Sequence, residues 1–184
     1  MNNINVVLFV SRNKDNKDLP GFKERTVSFI TDKPAPELYE KFDQFVKQGQ
    51  QNELSRFYYT VNRRDNEKIN RELIKFLIDN PDYPSNKIKS KLVSIANKPS
   101  SAHDKLWLLD VDTENADVIL EIKQSLLDFN TDWAVGNDFT VISTLNGAHI
   151  ISRPFDTRKL LEKYGDVLTV KKDDMYLLAY DTKK

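Results

Sequence analysis

Residues 139–152 read FTVISTLNGAHIIS. Two β-branched runs, FTVIST (139–144) and AHIIS (148–152), flank Asn146-Gly147, a pair suited to a type I′ hairpin turn. Two strands in immediate succession break any strict alternation of strand with helix, and this decides the fold class. Upstream, ADVILEIKQSLLDF (116–129) has the spacing of an amphipathic helix. Before it, the continuous apolar run KLWLLDVD (105–112) predicts a buried strand. Downstream, Asp156 is placed to cap a helix over TRKLLEKY (157–164), which Gly165 ends. The stretch VLTVKKDDMYLLAYD (167–181) reads as a final hairpin turning at Lys172-Asp173.

The N-terminal part has the same mixed character. INVVLFV (4–10), RTVSFI (25–30) and RFYYTV (56–61) read as strands. A helix over 35–49 places Leu38, Phe42, Phe45 and Val46 on one face and stops at Gly49. A second, over 66–80, does the same with Ile69, Leu73, Phe76 and Leu77, and a third over 85–97 has Ser85 as its N-cap. The expected class is α+β: a mixed, largely antiparallel sheet with flanking helices. At 184 residues and 39% hydrophobic, the chain suits a single domain over 1–184, with room for a small subdomain.

Composition removes several function classes. Basic and acidic residues balance at 28 each, so any nucleic-acid contact needs a local patch rather than a global field. The absence of cysteine excludes disulfides, thiolate zinc sites and a cysteine nucleophile. The glycines at 21, 49, 136, 147 and 165 are too dispersed for a dinucleotide fingerprint or a P-loop. No apolar run reaches the roughly 18 residues of a membrane span, and the start lacks the basic, apolar pattern of a signal peptide. The expectation is a cytoplasmic protein of a bacterial or phage-infected cell, without membrane contact.

Four stretches carry candidate chemistry. In LLDVD, Asp110 and Asp112 stand at i and i+2, so on a strand they share a face and can hold a hard divalent cation. The chain's 19 aspartates would give about two such pairs by chance, so position is what singles this one out: it closes a buried strand. The same residues also suit a strand end entering solvent, with Asp112 or Thr113 capping the next helix. His149, on an apolar strand, is either a satisfied core imidazole or a functional group. Arg63, leaving a strand in TVNRR, can clamp phosphate or sit in a solvated turn before a helix capped by Asp65 or Asn66. Lys171 and Lys172 can contact phosphate, and Asp173 or Asp174 can add a third carboxylate, or all four can form a polar hairpin tip.

Taken in order, TVNRR (60–64), LLDVD (108–112), STLNGAHII (143–151) and VKKDD (170–174) resemble the motifs of the archaeo-eukaryotic primase superfamily. The resemblance spans roughly 56–175, within a primase-like core of about 56–180, and is carried by some twenty positions. The family's second element is closer to S-G-x-G-x-H; here Asn146 replaces its first glycine and Gly147 keeps the second. The resemblance implies a primase-polymerase-like fold and a nucleotidyltransferase that uses Mg²⁺ or Mn²⁺, a nucleoside triphosphate and a single-stranded DNA or RNA. It implies that Asp110, Asp112 and Asp173 or Asp174 bind metal and that His149 contacts the triphosphate beside the Asn146-Gly147 turn. It makes Arg63 a candidate phosphate or template contact, beside Lys171 or Lys172, which the residues themselves offer as phosphate contacts. Two alternatives stand beside it: a non-catalytic nucleotide- or nucleic-acid-binding phage protein on the same fold, and a metal-dependent phosphoesterase. Oligomeric state is left open.

Overall fold

The computed structural model describes residues 4–130, 133 and 138–184; Gly136 lies outside them. The chain divides into two compact units. One takes the residues up to Asp104 together with Leu177–Lys184, and the other is Lys105–Tyr176. The stretch 56–180 expected to form one core therefore runs through both. In chain order the elements of the first unit are β1 (Asn5–Ser11), β2 (Arg25–Thr31), α1 (Tyr39–Lys47), β3 (Leu54–Thr60), α2 (Asn66–Asp79) and α3 (Ile88–Ala96). The second holds β4 (Trp107–Val111), α4 (Ala116–Phe129), β5 (Phe139–Ser143), β6 (Ala148–Ser152), α5 (Arg158–Tyr164) and β7 (Leu168–Lys171). The chain closes with β8 (Met175–Thr182). No helix among the described residues is long and apolar enough to cross a membrane.

The first unit is built on a sheet of order β2-β1-β3-β8. β1 is central and pairs antiparallel with β2 and β3. Its Phe9 meets Phe29, Phe42, Phe45 and Phe57 at ring-centroid distances of 4.9–5.9 Å, an aromatic core that the helical spacing of Phe42 and Phe45 on α1 supplies. Asp65 caps α2, accepting from the Glu67 and Lys68 N–H groups, as expected. Ser85 caps nothing: Pro84, with its fixed φ, leads into a 3-10 turn over Ser85–Lys87 that runs directly into α3.

Asp15 joins the loop after β1 to β3. It accepts two hydrogen bonds at 2.7 Å from Arg56 and two from Arg12 at 2.8 and 3.1 Å. Burial raises its pKa, and the bonds from Arg12 and Arg56 outweigh burial and lower it. A carboxyl with a lowered folded pKa stabilises the protein above its ordinary value of 3.8. That stability is lost as pH falls from there through the folded value. Asp15→Asn is expected to cost about 1.5–3 kcal/mol at neutral pH, the range for hydrogen bonds to a charged group. Urea melts at pH 7 and pH 3 check this: the wild-type–variant difference should shrink at the lower pH.

The second unit runs β-α-β-β-α-β with spatial order β5-β6-β4-β7, and every pair is antiparallel. This is the split βαβ, or ferredoxin-like, arrangement. α4 and α5 lie against one face of the sheet. Leu109 and Val111 of β4, Ala148 and Ile150 of β6, Phe139 of β5 and Leu168 join Ile122, Leu126, Leu160 and Tyr164 in one buried cluster. The Tyr164 hydroxyl finds the Ser125 hydroxyl at 3.1 Å inside it. Trp107 and Trp133 pack against the cluster and on Phe155, which places them with the core.

Two local expectations change. Asn115, rather than Asp112 or Thr113, caps α4, accepting from the Asp117 and Val118 N–H groups. β7 and β8 do not form a hairpin with each other: β7 pairs with β4 in one sheet, and β8 with β3 in the other. Lys172-Asp173 thus lies in a connection between sheets. Asp156 accepts the Arg158 N–H at the start of α5, although the helix-flanking residue is Thr157.

Candidate phosphate and cation site

β4 lies between β6 and β7, so its residues have two cross-strand neighbours. Asp110 stands directly opposite His149 on β6 and Thr169 on β7. Directly opposed residues share a face. Leu109, Val111, Ala148, Ile150 and Leu168 point to the helices, so Asp110, His149, Thr169 and Lys171 occupy the face away from α4 and α5. The alternation of apolar and polar residues along each strand carries this placement.

His149 Nε2 lies 3.2 Å from Asp110 Oδ1, and Lys171 Nζ donates to Asp110 Oδ2 at 3.0 Å. Because the carboxylate can only accept, His149 carries its proton on Nε2. Lys171 Nζ also lies 3.1 Å from Asp174 Oδ2. Three charged groups thus alternate in sign, carboxylate, ammonium, carboxylate, with the imidazole donating to the first of them. The His149 hydrogen bond, followed by that of Lys171, outweighs burial and holds the Asp110 carboxyl down at about 2. Burial works against the Lys171 charge, but its bonds to Asp110 and Asp174 prevail and raise its pKa. The His149 side chain is 9% exposed, Asp110 23% and Lys171 37%, so the site opens from the imidazole towards the ammonium.

Gly147 fixes the end of β6 where it adjoins the site. A Cβ there would run into the Val111 carbonyl oxygen and press on the Thr113 backbone. Only glycine lets β6 pass this close to the end of β4, and this approach sets Asp110 against His149. The turn itself differs from expectation. Thr144 N–H donates to the Gly147 carbonyl at 2.9 Å, so the central residues are Leu145 and Asn146. Asn146 is not among the residues with positive φ, so the turn is not type I′.

The remaining candidates are placed as follows. Asp112 is exposed, one residue beyond β4, and extends the ladder through its N–H to the Val167 carbonyl at 2.8 Å. Asp173 is half-buried, and Asp174 is the late aspartate that reaches Lys171. The Lys172 ammonium lies 5.7 Å from the Trp107 ring centre. Asn146 is exposed at the turn. Arg63 belongs to the first unit, where it makes a bidentate pair with Asp104 at 2.8 and 2.9 Å. Thr169 was not singled out from the sequence; its signal was the period of two back from Lys171.

Asp110 and Asp174 are oxygen donors of the kind a hard divalent cation takes, and the Lys171 ammonium bridges them. Among the described residues, no three such ligands are gathered as they stand. Comparisons with protein-family models, curated proteins and solved structures find no match to this chain.

Proposed function

We propose that the helix-free face of the second unit binds a nucleoside triphosphate with Mg²⁺ or Mn²⁺ and transfers its nucleotidyl group to a DNA or RNA strand, as the primase-like motif order implies. The observation that carries this reading is convergence. Asp110, His149 and the 171–174 segment, nominated separately by that order, meet through contacts of 3.0–3.2 Å. In this reading His149 and Lys171 donate to phosphate oxygens where negative charge builds. Asp110 orients the imidazole by holding its Nε2 proton, and phosphate then replaces one anionic acceptor with another. The divalent ion that this reaction needs would draw on Asp110 and Asp174, while no third ligating side chain is gathered beside them among the described residues. When bound, such an ion would activate the attacking 3′-hydroxyl and offset charge on the departing pyrophosphate.

Lys171 favours a second reading. It neutralises both Asp110 and Asp174, as expected of a site that binds phosphate without carrying out chemistry. Primer-extension and primer-synthesis assays with Mg²⁺ and Mn²⁺, on single-stranded templates with ribo- and deoxynucleotides, separate the two. The nucleotidyl-transfer reading expects extended product. Binding of triphosphate with no product under any combination supports the binding module, and nuclease activity without added nucleotide points to a phosphoesterase.

A further inference from the structure

We infer that one side of α3, in the first unit, holds the sugar-phosphate backbone of a single nucleic-acid strand. This gives the strand of the reading above a place, and it is independent of the triphosphate chemistry. Overall neutrality hides an uneven division of charge. Met1–Asp104 with Leu177–Lys184 carry 20 basic and 15 acidic side chains, whereas Lys105–Tyr176 carry 8 and 13. The first unit is therefore positive by five charges and the second negative by five, so a polyanion is drawn to the first. Within it, no carboxylate interrupts the sequence between Asp82 and Asp104, a stretch that holds Lys87, Lys89, Lys91 and Lys98.

Helical spacing sorts these lysines. Lys87, Lys91, Ser94 and Lys98 fall on one side of α3, and Lys89 falls on the other flank. The row runs from the residue before the helix to the second residue beyond it, about 16 Å at the helical rise. Lys87 is exposed and makes no ion pair among the described residues. Lys91 Nζ lies 3.7 Å from the Phe76 ring centre, and Tyr83 meets that ring edge-on at 4.9 Å, so aromatic rings hold this ammonium where a counter-ion could have. Lys98 pairs with Glu72 at 3.2 Å in an exposed bridge, which phosphate can exchange at little cost. Exposed Ser90, Ser94 and Asn97 add phosphate donors beside the lysines.

One row of lysines tracks one backbone, and no group in it reads a base edge, so binding is indifferent to sequence and steep in salt. A lipid surface fits less well, because it takes apolar side chains among the basic ones. Here the neighbours are hydroxyls and an amide. The exposed Ile74 and Ile78 each stand two positions from Phe76, about 200° round α2.

The test is fluorescence anisotropy of labelled oligothymidylate and oligouridylate with the full chain across a salt series. Wild type is expected to bind both, with log affinity falling against log salt at a slope of about −2, roughly 0.7 for each of three lysines. Lys87→Gln/Lys91→Gln should flatten the slope by about 1.4, which is about 25-fold in affinity at about 0.1 M salt. Lys87→Gln alone should cost about fivefold, and Lys89→Gln, the same charge change on the other flank, no more than about twofold. Equal losses from these two single variants overturn the proposal. So does an absence of strand binding at low salt by a protein that melts cooperatively, or sedimentation with phosphatidylserine vesicles in place of strand binding. None of these outcomes bears on the triphosphate reading, which fails instead if a nucleoside triphosphate leaves the His149 resonances unmoved.

Discussion

Asp110→Asn is expected to lower nucleotide incorporation about a hundredfold or more, the scale of losing one charge partner in a transition state, while leaving the protein folded. Asparagine keeps the shape of the side chain and removes the charge that His149 and Lys171 share. Its Oδ1 can still accept from His149, so the imidazole is held more weakly rather than released. Lys171 loses one of its two anionic partners and keeps Asp174. At 23% exposure the altered group retains access to water, which limits the stability change. His149→Ala should reduce activity on the same scale by removing a phosphate donor. Initial rates of primer extension at saturating and limiting nucleotide check both, with circular-dichroism melts confirming the fold. Wild-type rates in Asp110→Asn would remove this carboxylate from the chemistry.

Gly147→Ala is expected to destabilise the second unit by about 3 kcal/mol or more, at the upper end of overpacking costs because backbone rather than a side chain stands in the way. The added methyl meets the Val111 carbonyl and the Thr113 backbone, and β6 must back away from the end of β4 to admit it. That movement pulls the Asp110–His149 register apart, so activity should fall further than stability alone accounts for. Asn146→Ala, one residue earlier and exposed, should change stability by no more than about 0.5 kcal/mol. Urea melts of the two variants make the comparison. Equal, small effects would mean that the close approach at Gly147 does not hold the strands.

The readable parts of this fold were those where burial is written into the order of residues. The apolar run before Asp110 made β4 legible because a central strand buries both faces, and Leu108 and Leu109, which point opposite ways, are both fully buried. The helix over 116–129 was legible from its spacing, and its cap was not: Asn115 competes with Asp112 and Thr113 for the same role, and only backbone geometry chooses. The last two strands were misread as a hairpin because alternation shows which face is buried and not which neighbour a strand takes. The segment around Lys172-Asp173 looks like a turn and connects two sheets instead.

The candidate site divides along the same line. Asp110 and His149 were nominated from motif order, and their pairing required the antiparallel register of β4 with β6. Asp112, expected to share the face with Asp110, falls beyond the point where the strand ends, and strand ends are set by neighbours. The choice between Asp173 and Asp174 was open in the sequence, and the Lys171 contact favours Asp174. Lys171 bridges one carboxylate three positions away and one 61 positions away, and the second left no local trace.

The central claim is that a nucleoside triphosphate binds at the face carrying Asp110, His149 and Lys171. The chain has two histidines, His149 there and His103 beside Asp104 in the other unit, so imidazole resonances report on each separately. In a nuclear magnetic resonance titration with a nucleoside triphosphate and Mg²⁺, the His149 ring signals should shift in a saturable way while those of His103 stay in place. His149 signals that stay fixed at millimolar nucleotide, or shifts confined to His103, would contradict it.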